Sequence, residues 1–166
     1  MSENVIDQVA LEFREVMARV CTPVAVVTAF DGPRAHGTTV SAFTSLSMGP
    51  PMILVSLDRG SDLLAIVRRT GRFGVNVLAH DQAEVALRFA RKGDDKFDGV
   101  CWSDSAGLPR IDGASGWLAC TTEALVDGGD HVVALGNVVA TGTTPAPPLT
   151  YHDRVFGTHR AFEVAS

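Results

Sequence analysis

The sequence predicts a small, mainly β fold: an antiparallel barrel with a few short helices on its outside. Three observations lead there. Apolar, β-rich runs recur along the chain, and most follow one another across turn signals, as hairpins do. The segments with helical spacing are short and few. Strands and helices do not alternate regularly, as a doubly wound parallel sheet requires.

Ile6, Val9, Phe13, Val16, Met17 and Val20 recur at helical spacing, so 5–20 reads as an amphipathic helix with Asn4 as N-cap, stopped by Pro23. VAVVTAF (24–30) is a strand, and Asp31-Gly32 is a turn that returns RAHGTTVSAF as the second arm of a hairpin. Thr44, Ser45 and Ser47 follow where the chain crosses to the next strand, MILVSL (52–57). SDLLAIVRRTG (61–71) has a Ser cap, an apolar stripe, terminal arginines and a closing Gly, the marks of a short helix. FGVNVLA (73–79) is a strand, and DQAEVALRFARKG (81–93) a second short helix. WLACTTEALV (117–126) and HVVALGNVVATG (131–142) are long strands around Gly128-Gly129. PAPP (145–148) is a rigid connector into a last strand, LTYHDRVF (149–156).

The bulk numbers narrow the function. At 166 residues, with 46% hydrophobic and 20% charged residues, the chain is read as one folded domain over 1–166. No stretch reaches the ~18 unbroken apolar residues of a membrane span. The N-terminus carries acids where a secretion signal needs a basic start, and Cys21, Cys101 and Cys120 are three thiols without a CxxC pair. These point to a reduced, cytoplasmic protein without a zinc site. The formal net charge of −5 argues against nucleic acid and anionic membranes, so an anionic ligand must be held by local chemistry.

The familiar short motifs are absent. There is no GxGxxG after a strand, no GxxxxGK[ST], no GxSxG, and no metal spacing among the five histidines. Serines and a Gly-Asp-His sequence (129–131) are present, but a Ser-His-Asp triad is recognised by geometry rather than composition, so these residues alone give a hydrolase little weight. What stands out is a hydroxyl run. Six of the ten residues from Thr38 to Ser47 carry hydroxyls, and Pro50-Pro51 fixes the exit. Hydroxyls and backbone N–H groups hold a phosphate or a polar ring edge without spending charge. SLDRGSDL (56–63) is a second such patch, leading into a helix N-terminus that offers N–H groups to an anion. RFARKGDDKF (88–97) supplies Arg88, Arg91, Lys92 and Lys96. Together they make an anionic-cofactor site in an acidic protein. Each has a plainer reading: hydroxyls are β-formers, and basic residues at helix ends complement the dipole.

The stretch GTTVSAFTSLSMGPPMILVSLDRGSDLLAIVRRTGRFGVNVLAHDQ resembles the signature of the flavin reductase-like family, the reductase components of two-component flavin monooxygenases. RFARKGDDKF, LPRIDGASGWLAC, GGDHVVALGNVV and PLTYHDRVFG match in order, so the resemblance runs from about residue 12 to about residue 158. It implies an FMN-binding split β-barrel, a Greek-key antiparallel barrel flanked by helices, working as a homodimer. It implies NAD(P)H-dependent reduction of FMN or FAD, with NADH or NADPH as donor and reduced flavin passed to a separate monooxygenase. Thr38, Thr39, Val40, Ser41, Ser45, Leu46 and Ser47 would line the isoalloxazine and ribityl chain. Ser56, Leu57, Asp58, Ser61, Arg88, Phe89, Lys92 and Phe97 would take the flavin phosphate region. His131, as the catalytic residue, and Tyr151 would lie near the nicotinamide. Thr38 stands where many relatives carry Met or Leu, and Pro23 replaces a usual Gly. Neither departure removes a group the chemistry needs.

Some readings stay open. His131 follows Asp130 at a strand start, where a histidine often only bonds a carbonyl, and Tyr151 reads equally as a barrel residue whose hydroxyl finds a partner. Trp102 and Trp117 read as core or dimer-interface residues. Asn76 sits in a buried-looking strand and must bond either the flavin or a neighbouring backbone. The alternative function is a non-catalytic or electron-transfer flavin-binding barrel. Arg154 and Arg160 are the candidates near GDH and PLTYH for a 2′-phosphate, which favours NADH.

Overall fold

In the computed structural model, which describes residues 3–162, the helices are α1 (Glu3–Ala18), α2 (Asp62–Thr70) and α3 (Ala83–Ala90). The strands are β1 (Thr22–Pro23), β2 (Ala25–Asp31), β3 (Arg34–Val40), β4 (Phe43–Met48), β5 (Pro51–Asp58), β6 (Arg72–Val77), β7 (Trp102–Ser105), β8 (Leu108–Ile111), β9 (Gly116–Gly128), β10 (His131–Thr143), β11 (Leu149–His152) and β12 (Val155–Thr158). Seven of them form one antiparallel sheet in the order β3-β2-β6-β9-β10-β5-β4.

The two ends of that order decide the shape. β3 and β4 are the outermost strands, yet only Ser41 and Ala42 separate them in sequence. The sheet must therefore roll until the end of β3 lies beside the start of β4. At the join the Ser56 N–H donates to the Ala42 carbonyl at 2.9 Å. Beyond it no ladder joins β3 to β5 among the described residues, so the barrel is split along that seam.

β2 shows why its sequence does not alternate. Ala25, Val27 and Ala29 face the interior with Val55, Leu57, Phe73 and Val75, while Val24 and Val26 face outward to Leu78, Ala86 and Phe89 under α3. A strand covered on both sides reads as a continuous apolar run. α2 sends Leu63, Leu64, Ile66 and Val67 into the interior cluster. Each such side chain contributes roughly 1.5–3 kcal/mol of burial. α2 ends at Gly71, whose φ of +67° suits glycine and whose N–H bonds the Val67 carbonyl. Asn76 is fully buried and bonded to its neighbours: its amide donates to the Val26 carbonyl, and its oxygen accepts the Ile111 N–H at 2.7 Å. That settles its role in favour of the backbone.

Four elements differ from expectation. Residues 43–48 are not a crossing but β4, an edge strand on β5. β7 and β8 form a hairpin around Ala106-Gly107, both at positive φ, that no alternation announces. The stretch 149–156 is broken into a hairpin, β11–β12, because Asp153 and Arg154 adopt φ of +49° and +64° and reverse the chain. α1 begins at Glu3, so Asn4 falls inside it, and the Asn4 side chain lies outside the described residues.

α1 has its predicted apolar stripe, but Val9, Phe13 and Val16 are about 60% exposed (58, 61 and 61%). Besides chain continuity, α1 is held by the hairpin tip: the Asp153 N–H donates to the Ala18 carbonyl at 2.7 Å, and Arg154 pairs with Glu15. Trp117 is core, and Trp102 is half-buried in an aromatic cluster with Phe30 and Phe97.

Candidate functional site

A cleft of about 480 Å³ opens where the seam widens. One wall is β3 from Ala35 to Thr38, a second is Asp58 and the turn through Gly60 into α2, and the third is the loop from Ala90 to Phe97 after α3. Gly37 is needed at this junction: a Cβ there would stand 2.8 Å from the Phe89 ring.

The turn into α2 is built by Asp58. Its carboxylate accepts the Gly60 N–H at 2.7 Å, and its carbonyl accepts the Ser61 N–H at 3.0 Å. Ser61 then caps α2 in extended backbone geometry, and its hydroxyl makes no capping bond. The first-turn N–H groups of a helix lack internal partners, and Asp62 and Leu63 present this end of α2 to the cleft. Across from it, the Lys96 Nζ donates to the carbonyls of Gly37 at 3.1 Å and Phe89 at 3.3 Å. Burial holds the Lys96 ammonium below its usual pKa of 10.5, while Asp62 and Asp94 pull it back up. Lys92 is exposed on the rim and makes no ion pair among the described residues. The cleft thus offers neutral donors and cations, the donor set an anionic phosphate needs.

Of the residues singled out from the sequence, Thr38, Asp58, Ser61, Lys92 and Phe97 meet in this cleft. Val40 packs on the interior cluster, and the Thr39 hydroxyl donates to the Ala86 carbonyl at 2.6 Å. Leu57 and Phe89 are core, so only their backbones can meet a ligand. Ser41 is exposed at the seam, and Ser56 is tied to it by its N–H. Ser45, Leu46 and Ser47 lie on β4, with Ser45 and Leu46 exposed. Arg88 donates to the Asp98 carbonyl at 2.6 Å and lines a neighbouring cavity of about 390 Å³ that shares only Arg91 with the first. Arg91 and Lys96 of the basic run RFARKGDDKF and Gly60 of SLDRGSDL line the cleft too, as does His36, which no motif singled out.

His131 opens β10 directly opposite Asp58 of β5, so the two side chains share a face of the sheet. Its Nδ1 lies 2.7 Å from the Asp130 carboxylate. That hydrogen bond first, and the imidazole charge second, hold the Asp130 carboxyl below its usual value. Tyr151 is elsewhere. It stands on the small sheet β1-β11-β12, its ring tilted at 58° against Phe156 with centroids 5.2 Å apart. Leu149 of that sheet hydrogen-bonds Val24 and Leu78, at the end of the barrel where β9 begins and β10 finishes. Within one chain, His131 and Tyr151 therefore sit at opposite ends of β10. Among the described residues no cluster of His, Cys, Asp or Glu could hold a metal ion, and no helix is long and apolar enough to cross a membrane.

Comparison with known proteins adds four findings. The model of the flavin reductase like domain family matches residues 17–160. The actinorhodin polyketide dimerase of Streptomyces coelicolor is 41% identical over 146 residues, 86% of this chain and 82% of that one. The NADH:riboflavin 5'-phosphate oxidoreductase of Streptomyces pristinaespiralis is 37% identical over 152 residues, 88% and 86%. The crystal structure of nitrilotriacetate monooxygenase component B from Mycobacterium thermoresistibile superposes with a TM-score of 0.89 at 31% identity, covering 98% of this chain and 93% of that one.

Proposed function

Since the chain belongs to the flavin reductase-like family, we propose that it reduces FMN or FAD with NADH and supplies the reduced flavin to a separate flavin-dependent monooxygenase. One observation carries the reading: at the mouth of the seam, the start of the hydroxyl run at Thr38, the start of α2, Lys92 and Lys96 converge on one cleft in a protein of net charge −5.

The donor set fits a flavin. The uncommitted Ser61 hydroxyl and the α2 N-terminus would take the phosphate, with Lys92 and Lys96 balancing its charge. Thr38 and the rest of the run, through Ser41 to Ser47, would carry the ribityl chain and ring edge. When bound, the flavin supplies the hydride chemistry, accepting at N5 from the nicotinamide C4. The protein has to hold the two rings ~3–3.5 Å apart and exclude water. Backbone N–H groups beside the ring would stabilise charge that develops on it. His131 has Nδ1 committed to Asp130 and presents Nε2 to orient the nicotinamide; it transfers no proton. Arg154, a candidate for a 2′-phosphate, is already paired with Glu15, which supports NADH as the donor.

The reading includes a homodimer. The stripe of α1 is uncovered, and β4 offers an open edge with Leu46 and Met48 exposed. If His131 and Tyr151 both face one nicotinamide, they come from different chains, since β10 runs for about 40 Å between their ends of the barrel. Light scattering should give a species near twice 17.6 kDa; a monomer that still reduces flavin would refute it. Three unpaired thiols support a cytoplasmic location.

The deciding experiment mixes pure protein, NADH and excess free flavin in air and follows the NADH absorbance. Turnover beyond the protein concentration is expected. No turnover with NADH or NADPH, on either flavin, would leave a barrel that only holds flavin.

A further inference from the structure

The turn into α2 faces two ways. Asp58, Gly60 and Ser61 line the cleft. Arg59, between them, reaches instead to the β9–β10 turn, the one that carries His131. Its backbone N–H donates to the Asp130 carbonyl at 3.0 Å. Its Nε donates to the Gly129 carbonyl at 2.8 Å, and its Nη2 lies 3.0 Å from the Asp127 carboxylate. One residue thus holds Asp127 at the end of β9 and two positions of the turn, which among the described residues is otherwise fixed by its own hairpin and by the β5 ladder.

The chain of contacts continues to the imidazole. Gly129 has a φ of +65°, and Asp130 follows it with its carbonyl on the Arg59 N–H and its carboxylate on the His131 Nδ1. Where Asp130 sits therefore decides where the ring points. The guanidinium suits this task better than an ammonium, because its planar fork satisfies a carbonyl and a carboxylate at once. The ion pair itself adds little stability: Arg59 and Asp127 side chains are 44% and 74% exposed. The value of the contact is geometric, and alignment errors of about 1 Å can cost ~100-fold in rate.

We propose that Arg59 is a positioning residue that ties the phosphate side of the cleft to His131, so that a flavin seated at Ser61 fixes the direction of the imidazole that meets the nicotinamide. The proposal rests on the reading of the cleft and of His131 given above. It makes Arg59 matter to NADH and not to flavin, although Arg59 lies in the loop that would hold the flavin.

Arg59→Ala, Arg59→Lys, His131→Ala and the double variant Arg59→Ala/His131→Ala separate the possibilities. For each, a flavin titration, a melt and anaerobic stopped-flow reduction at limiting and saturating NADH are recorded. Arg59→Ala should keep flavin affinity within about twofold and melt within ~4 °C of wild type, as an exposed pair allows. Its KM for NADH should rise about five- to twentyfold, with a smaller change in kcat. Arg59→Lys should recover only part of the loss. In the His131→Ala background, Arg59→Ala should add nothing, because the group it positions is gone. Wild-type kinetics in Arg59→Ala, a loss that adds fully to that of His131→Ala, full recovery by Lys, or a loss that tracks flavin affinity and melting would each overturn the proposal while leaving the His131 reading intact. Wild-type reduction by His131→Ala at both NADH concentrations would instead remove His131 from the nicotinamide site, and the role of Arg59 with it.

Discussion

Replacing Gly37 by alanine should damage stability and flavin binding together. The added Cβ would stand 2.8 and 2.9 Å from two carbons of the Phe89 ring and 3.2 Å from Val26. Ordinary contact begins at 3.4 Å, so Phe89 must retreat by ~0.6 Å (3.4 − 2.8). It has nowhere to go: Phe89 is fully buried in the outer cluster with Val24, Leu78 and Ile111. Overpacking of this kind costs about 1–3 kcal/mol, and the stiffer unfolded chain of an alanine variant returns about 0.4–1 kcal/mol. A net loss of about 1–2 kcal/mol lowers the melting temperature by about 2–8 °C in a chain of this length. The cleft should feel the same push. Phe97 meets Phe89 edge-on at 4.8 Å, and Lys96 bonds both Gly37 and Phe89 carbonyls. A shift of Phe89 therefore moves two residues of the wall, and flavin affinity should fall about three- to tenfold, ~0.6–1.4 kcal/mol. Gly136→Ala is the control. Its Cβ would meet the Phe73 ring at 2.5 Å, in the interior cluster rather than at the cleft, so it should lower melting and spare affinity. Differential scanning fluorimetry and fluorescence-quenching titrations read both. A Gly37→Ala protein with wild-type melting and wild-type affinity would refute the packing argument, and equal affinity losses in both glycine variants would refute the link to the cleft.

Lys92→Ala should weaken flavin binding by roughly 1.5–3 kcal/mol, the range for a hydrogen bond to a charged group. Arg88→Ala should cost less, because Arg88 is spent on the Asp98 carbonyl and faces the neighbouring cavity; the reverse order in a quenching titration would move the phosphate. Lys96 titrates below 10.5 because burial disfavours its charge, and a phosphate beside it would raise that pKa again. Flavin binding at alkaline pH should then take up protons, visible by calorimetry in buffers of different ionisation enthalpy; no uptake would place the anion elsewhere. Cys120 is buried with its pKa pushed up to about 12, whereas Cys21 and Cys101 are exposed. A thiol reagent should label two cysteines in the native protein and the third only on unfolding, and rapid labelling of all three would contradict the packing around β9.

Most of the barrel was legible because its strands bury their side chains in patterns that sequence records. The long pair around Gly128-Gly129 and the hairpin at Asp31-Gly32 carry both apolar runs and turn glycines. What escaped did so for local reasons. β4 is an exposed edge strand, so hydroxyls stand where apolar residues would have marked it. The β11–β12 turn uses Asp153-Arg154 at positive φ where glycine or asparagine would have flagged it. The site was legible in composition more than in direction. The hydroxyl run and the basic patch were visible, but not that Thr39 turns to the Ala86 carbonyl, that Leu57 and Phe89 point into the core, or that Arg88 belongs to another cavity. No spacing rule in the sequence shows that Arg59 bonds a glycine seventy positions away.

The seam also bears on how fast the chain can fold. Closing a ring of strands usually demands one pairing between distant parts of a sequence. Here the gap is bridged by Ser41 and Ala42 alone, so connectivity brings the outermost strands together without a search. The slow encounters lie inside the ring, where Val26 must find Asn76 and Val75 must find Leu118. Lengthening the two-residue link to eight residues would double the loop twice and cost about 1.2 kcal/mol in closure entropy. If the seam forms before the rate-limiting step, that cost should appear in the folding rate, roughly sevenfold slower in stopped-flow refolding, with unfolding unchanged. If the central strands meet first, the same insertion should instead speed unfolding.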